Sequence, residues 1–469
     1  MIVLIQFILT ALACAGLWWA WTKLAGRGKA SLIIAAGFII RALGGQVLFW
    51  ISWLYLPIAK SLQIGNGFWF FAIDGPKYLS YALELVGLGA KAILFITTGY
   101  QSRLFTQAFA IATAAFGVVS SVAILFNCAA YLATCAILLR IGSRDARMER
   151  PRLVALAAIA FGPGMVLWSL QALKDTYFYF LVIALFAACL RWQEVWKADA
   201  NWRRLLGPIA VMLVVMYEIG GIRWYFGAFF CALWPVFVVL TSLSARWRWK
   251  AALSGLLLLV LLTQALRLGG GDDIPWQVRR LLAPGEVKSL RWWRPAPAEV
   301  SWQPSAVPQL AVEIRSGFEH TPGATKIAPG PVVGTVPPVS KSKEAVVVSP
   351  TLVPRLATGF AAMFLPRFVA QALGLIRIGG GRGFWIFVET DTLVFDAMLL
   401  FSAIYCTRAL RSWARMTPLF VFLVLLFVMT AAPMIYTVTN FGTLFRLRLM
   451  VYVIAAVLPL TLAGRRDAA

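Results

Sequence analysis

The chain has 469 residues, of which 61% are hydrophobic and 13% charged, with a mean hydropathy of +0.80. That balance excludes an ordinary soluble globular enzyme and places the chain among membrane proteins. The net charge of +24 is not a nucleic-acid signature, because Lys and Arg sit mostly in short loops between apolar runs and no soluble basic domain carries them.

Residues 2–21 form a first apolar span, too long and too poor in basic residues at its start for a cleavable signal peptide. A short loop with Lys23, Arg27 and Lys29 leads to a second span over about 31–56, whose Arg41 is expected to face protein rather than lipid. An outer loop over 57–106 follows and holds Asp74-Gly75-Pro76-Lys77-Tyr78, with amphipathic helical patterning beyond it. Residues 107–141 are one long apolar run, either a tilted span or a re-entrant piece followed by a span. Arg140, Arg144, Arg147, Arg150 and Arg152 close it.

Spans over about 153–172 and 176–191 are joined by a tight turn at Lys174-Asp175, and those over about 205–219 and 226–243 by a short turn from Glu218 to Arg223. A span over about 251–267 precedes a Pro-rich segment, 268–354, read as an extracytoplasmic loop that is partly extended or disordered. Residues 355–376 are amphipathic and interrupted by Pro366, and spans over about 390–407, 417–436 and 449–463 end the chain. Three units result: a transmembrane bundle over 1–267, the loop over 268–354, and an amphipathic segment with the last helices over 355–469. The fold class is an all-α polytopic membrane protein of about eleven transmembrane helices with amphipathic or re-entrant outer helices.

Strict alternation places the basic loops at 22–30, 140–152, 191–204, 244–250 and 408–415, and the tail Arg465-Arg466, on one face, which the positive-inside preference makes cytoplasmic. The N-terminus then lies outside and the C-terminus in the cytoplasm of a bacterial inner membrane. The six cysteines all fall in apolar runs and read as buried small hydrophobes. One histidine, His320, leaves no set for a His-based zinc site or a Ser-His-Asp triad. These residues call for no cofactor firmly; a divalent metal is an option that they do not support.

The outer face gathers Asp74, Glu84, Lys174, Asp175, Glu218, Arg223, Glu389, Asp391, Arg446 and Arg448. Each has a plain structural reading beside a functional one. Asp74 either caps the helix begun by Pro76 or serves as a catalytic acid or base. Lys174-Asp175 is either a hairpin turn or part of a site, and Arg223 either pairs with Glu218 or lines that site. Arg446 and Arg448, two residues apart after Asn440-Phe441-Gly442-Thr443, either snorkel to anchor the helix or hold a phosphate. Gly379–Gly383 reads as a hinge or an anion nest, Asp272-Asp273 as a weak metal candidate, and Glu389 and Asp391 as caps or as chemistry.

Phe161-Gly162-Pro163, Trp168-Ser169 and Leu173-Lys174-Asp175 resemble a turn found in polytopic sugar transferases of bacterial cell-surface polysaccharide clusters. The stretch Asp74-x-x-x-Tyr78-x-x-x-Ala82 resembles the first outer loop of the GT-C superfamily of membrane glycosyltransferases, including its protein mannosyltransferase-like members. Phe364-Leu365-Pro366-Arg367-Phe368, Glu389 and Asn440-x-Gly442-Thr443-x-x-Arg446-x-Arg448 are similar to late motifs of such proteins. The resemblance implies a GT-C-like fold and a polyprenyl-phosphate-linked sugar donor. It implies transfer on the extracytoplasmic side to a glycan, lipid-linked or protein acceptor. On it, Asp74 is the base that activates the acceptor hydroxyl, Arg446 and Arg448 hold the donor phosphate, and Lys174 is a further cation. Tyr78, Asp175, Glu218, Arg223, Glu389 and Asn440 support the site. The same parts suit a repeat-unit polymerase, and a lipid-linked sugar flippase is the alternative from another class.

Overall fold

The computed structural model describes residues 2–26, 28–95, 102–117, 121–141, 145–198, 202–270, 359–373, 385–437 and 441–464. Glu84 and Asp391 fall among them. Asn440, Asp272-Asp273, His320, the glycine run at 379–383 and nearly all of the 268–354 loop lie outside the described residues.

The described chain is helical almost throughout. Helices α1 (Ile2–Ala25) and α2 (Lys29–Trp53) open it, followed by a small antiparallel hairpin, β1 (Gln63–Gly65) with β2 (Phe68–Trp69). The hairpin turns through Asn66-Gly67, where both residues take positive φ, as a tight hairpin turn requires. Then come α3 (Gly75–Leu88), α4 (Ala90–Phe95), α5 (Arg103–Phe116), α6 (Ser121–Arg140), α7 (Glu149–Phe161) and α8 (Pro163–Leu167). After them run α9 (Asp175–Lys197), α10 (Trp202–Ser244), α11 (Arg248–Gly270), α12 (Arg367–Ala372), α13 (Trp385–Ser412), α14 (Pro418–Thr437) and α15 (Phe441–Val457).

Eight of these helices are long and apolar enough to cross a membrane, and the protein is a helical multi-pass membrane protein. The eleven spans expected from sequence differ from these eight in three places. The 153–172 stretch is broken at Gly162-Pro163, so α7 has 13 residues and α8 five. The stretch at 449–463 is divided between the end of α15, which has 17 residues, a 3-10 turn at Leu458–Thr461 and an extended end at Ala463–Gly464. The expected spans 205–219 and 226–243 are the two arms of α10, counted once among the eight because they follow one another without a loop, and the backbone between them leaves helical geometry at Arg223 (φ −148°, ψ 67°). That element doubles back. Met212 Sδ lies 3.8 Å from Cys189 Sγ, and the Trp234 ring 5.6 Å from that of Trp192. A straight helix would carry residues 212 and 234 about 33 Å apart, yet their partners on α9 are three residues apart. The two arms of α10 therefore run antiparallel along α9, folding at Arg223.

The 107–141 run resolves into its second alternative. Gly117 ends α5 in a positive-φ conformation, and α6 begins at Ser121. Helix α5, 14 residues long, is too short to cross and packs on α3, with Tyr78 edge-on to Phe105 at 5.1 Å. Residues 359–373 break at Leu365-Pro366 as expected. Five cysteines are buried; Cys14 instead faces outward on α1, which packs against α2 and α5 along one side only.

The break at Gly162-Pro163 is repaired from other helices. Pro163 has no N–H for the carbonyl of Ile159, and the Gly164 N–H donates to Asp391 Oδ1 at 2.6 Å instead of to Ala160. Arg41 of α2 takes both stranded carbonyls, donating to Ile159 O at 2.7 Å and Ala160 O at 2.9 Å, with its guanidinium over the Tyr131 ring. Gly164 permits this approach, because a Cβ there would sit 2.9 Å from Asp391. The other oxygen of Asp391 pairs with Arg448, which also donates to Thr392 Oγ1 and Met363 O.

Several basic segments meet at one end of the bundle. Tyr405 donates to Arg147 O at 2.8 Å, and Arg147 lies 5.2 Å over the Trp413 ring. Strand β3 (Ala414–Arg415) pairs with β4 (Ala463–Gly464), and Leu419 N–H donates to Gln193 Oε1 near the end of α9.

Arg41→Met should lower the stability of the protein in detergent by roughly 2–4 kcal/mol, because it strands two buried carbonyls. Arg41→Lys should recover only part of that, a single ammonium being unable to reproduce the fork. Thermal unfolding of the three proteins checks both.

Candidate functional site

At the opposite end, four helix starts and bends converge. Asp74 precedes α3, Lys174 and Asp175 begin α9, Arg223 marks the fold of α10, and Arg446 lies in the second turn of α15. Residues distant in sequence form one alternating chain of charge. Arg446 Nη1 donates to Asp74 Oδ2 at 2.5 Å, and its Nε donates to Asp175 Oδ2 at 2.7 Å. Arg223 Nη2 closes the chain on Asp175 Oδ1. Side-chain exposure rises along it, from 0% at Asp175 and 3% at Arg223 to 18% at Arg446 and 36% at Asp74. The inner pair is structural by position and the outer pair is the open edge.

The structure decides between the paired readings made from sequence. Asp74 occupies the residue before α3, but its carboxylate makes no capping hydrogen bond and is committed to Arg446. Arg223 pairs with Asp175 rather than with Glu218, which lies against Tyr177 with Arg103 nearby. Lys174 is more than a turn residue: its Nζ lies 2.5 Å from Ser102 Oγ and donates to Ile222 O at 3.3 Å, beside the fold in α10.

Arg446 and Arg448 do not stand together. Two residues apart on one helix, they point to different sides, and Arg448 is buried against Asp391, Thr392 and Met363. The expectation of a paired guanidinium clamp therefore reduces to Arg446, which stacks 5.7 Å over the Trp168 ring. Glu389 is also away from the charge chain, accepting from Phe368 N–H at 3.2 Å. Tyr78 belongs to the site, with its hydroxyl 3.5 Å from Ser102 Oγ.

Two residues here had no place in the sequence reading, and a third entered it only within a motif. Ser102 sits before α5 in left-handed backbone geometry (φ 54°, ψ 47°), and its hydroxyl makes no cap. A serine before an amphipathic helix was the available signal, but such serines ordinarily cap. Asn127 of α6 donates to Ser169 O at 2.9 Å and Gln171 O at 2.7 Å, fixing the turn that delivers Lys174. Nothing in the local sequence marks it. Trp168 appeared only as part of a motif.

Burial pulls Lys174 down to about 7; Arg223 and Arg446 add to the shift, and Asp175 and Asp74 oppose it. Near neutral pH this amine exchanges between an ammonium and a free base. Tyr78 moves the other way, pushed up to about 12 chiefly by burial, and stays a neutral phenol. With Lys174 protonated, three cations face two carboxylates and the cluster favours an anion. With Lys174 neutral the charges balance.

Two results are expected. The reactivity of Lys174 toward an amine-acylating reagent, followed by peptide mass spectrometry, should reach half its maximum near pH 7 rather than near ~10.4. Sulfate should move that midpoint upward by stabilising the ammonium. Separately, Asp175→Ala should destabilise the protein by about 3–5 kcal/mol, because it leaves two guanidiniums without their buried partner. Asp74→Asn, at the exposed edge, should stay within about 1 kcal/mol of wild type by thermal unfolding.

No known protein family, curated protein or solved structure matches the chain.

Proposed function

We propose that the protein is a glycosyltransferase of the GT-C kind, acting in cell-surface glycan biosynthesis. It transfers a sugar from a polyprenyl-phosphate-linked donor to an acceptor on the extracytoplasmic side of a bacterial inner membrane. The observation that carries this reading is the half-buried pair Asp74–Arg446, a carboxylate withheld from capping and a guanidinium anchored from behind by Asp175. Glycosyl transfer from a lipid phosphate needs those two functions: a base to take the acceptor proton and positive charge to stabilise the departing phosphate. Arrival of the phosphate at Arg446 competes with Asp74 for the guanidinium and frees the carboxylate for the acceptor hydroxyl. Protonated Lys174 adds charge beside it.

The gathering of basic segments at the opposite end of the bundle supports an extracytoplasmic placement of the site, under the positive-inside preference. It also supports a C-terminus in the cytoplasm. The charged chain sits at helix starts and a helix fold, as suits a membrane-surface transferase.

Asp74→Asn is expected to abolish sugar transfer from radiolabelled polyprenyl-phosphate sugars by purified protein in lipid, with membrane insertion unchanged. Full transfer by that variant removes Asp74 as the base. Transport of a lipid-linked sugar across liposomes, without transfer from any donor, replaces the enzyme with a flippase.

A further inference from the structure

Ser102 has no part in the proposed glycosyl transfer, and Lys174 enters it only as a charge. Ser102 stands where a helix-capping serine would, yet its Oγ makes no bond to the first turn of α5 and lies 2.5 Å from Lys174 Nζ. The residue is held in left-handed backbone geometry, which non-glycine residues adopt at some energetic cost and which clusters at functional sites. Lys174 is oriented from its other side by the carbonyl of Ile222, exposed where α10 folds. Tyr78 approaches the same Oγ at 3.5 Å. A nucleophile within hydrogen-bond reach of a base, with the base oriented by a third group, is the arrangement of an activated hydroxyl.

We propose that Ser102 is a nucleophile and Lys174 its general base, and that the pair accepts an acyl group from an activated ester or thioester. Ser102 Oγ attacks the acyl carbonyl carbon while its proton passes to Lys174 Nζ. The bond from carbon to the leaving oxygen or sulfur then breaks, and the Lys174 ammonium returns the proton to that atom. The products are acyl-Ser102 and the free alcohol or thiol. A second hydroxyl, from an acceptor or from water, reverses the steps and releases the acyl group. The positive end of the α5 dipole begins at Ser102 and favours the developing oxyanion.

Charge selects acyl over phosphoryl chemistry. The groups facing Lys174 are Asp74 from the α3 side, Asp175 of α9, Arg223 of α10 and Arg446 of α15, with the neutral phenol of Tyr78 beside Ser102. With the amine neutral, the two carboxylates and two guanidiniums cancel, and an uncharged carbonyl group is accommodated. A phosphorylated substrate instead holds Lys174 protonated and disables the base. The inference therefore stands apart from the glycosyltransferase reading, and the two respond oppositely to pH: binding of an anionic donor weakens as pH rises through about 7, whereas acylation of Ser102 strengthens.

A fluorophosphonate probe on the full-length protein in lipid tests this. Wild type should be labelled at Ser102, located by peptide mass spectrometry, with a rate that rises as pH increases through about 7. Ser102→Ala should lose the label. Lys174→Arg keeps the positive charge but supplies no free base, and should slow labelling about 100-fold or more. Asp74→Asn, which removes a carboxylate that helps hold the Lys174 proton, should still be labelled at Ser102, with the rise in rate moved to lower pH. Absence of label at Ser102 in wild type, a rate that is flat across this pH range, or an unchanged rate in Lys174→Arg overturns the proposal. The wild-type mapping and pH profile decide the matter if a variant fails to fold.

Discussion

The buried carboxylate of Asp175 is the tie on which the charged end of the helical bundle depends. It stands at the start of α9 between Arg223, at the fold of α10, and Arg446, on α15. Three helices are thereby registered by one residue, and Arg446 extends the connection to the start of α3 through Asp74. In a low-dielectric interior such a chain holds only if its charges alternate and its donors are aimed. Alternation also leaves Lys174 as the extra cation, and burial beside two guanidiniums is why its proton is loosely held.

The same physics governs the second polar cluster, with a different outcome. Where Pro163 breaks the helix, carbonyls and an N–H are left in an apolar interior that offers no water, and irregular backbone at that depth needs protein partners. Arg41 supplies donors from α2, and Asp391 supplies an acceptor from α13. Arg448 then balances Asp391, so this group is closed on itself and buried. The chain from Asp175 to Asp74 is graded toward the surface instead. Charged residues in the helices thus divide into a set that mends backbone and a set that ends at an opening.

Two helix starts at that opening share a feature. Asp74 and Ser102 both occupy positions where their side chains would ordinarily cap, and neither does. Each side chain is drawn instead to a cation, Asp74 to Arg446 and Ser102 to Lys174. Forgoing a cap costs about 1 kcal/mol, which the cluster offsets through charge-assisted bonds. The groups best suited to chemistry are those released from their local structural duty.

The sequence by itself determined the helical membrane class and most of the apolar spans, because hydropathy acts locally. It also singled out Asp74, Lys174, Asp175, Arg223 and Arg446 as ionisable residues at span ends, where charge near a membrane demands a partner. Which partner each takes was beyond it. Arg223 is five residues from Glu218 yet pairs with Asp175 across the fold of α10, and Arg448 turns away from Arg446 because α15 sends neighbouring side chains to different helices. The roles of Ser102, Asn127 and Arg41 rest on contacts spanning 40 or more residues, to Lys174, the Ser169–Gln171 turn and the broken end of α7. Only the tertiary structure decides them, because long-range packing determines which polar groups share an interior without water.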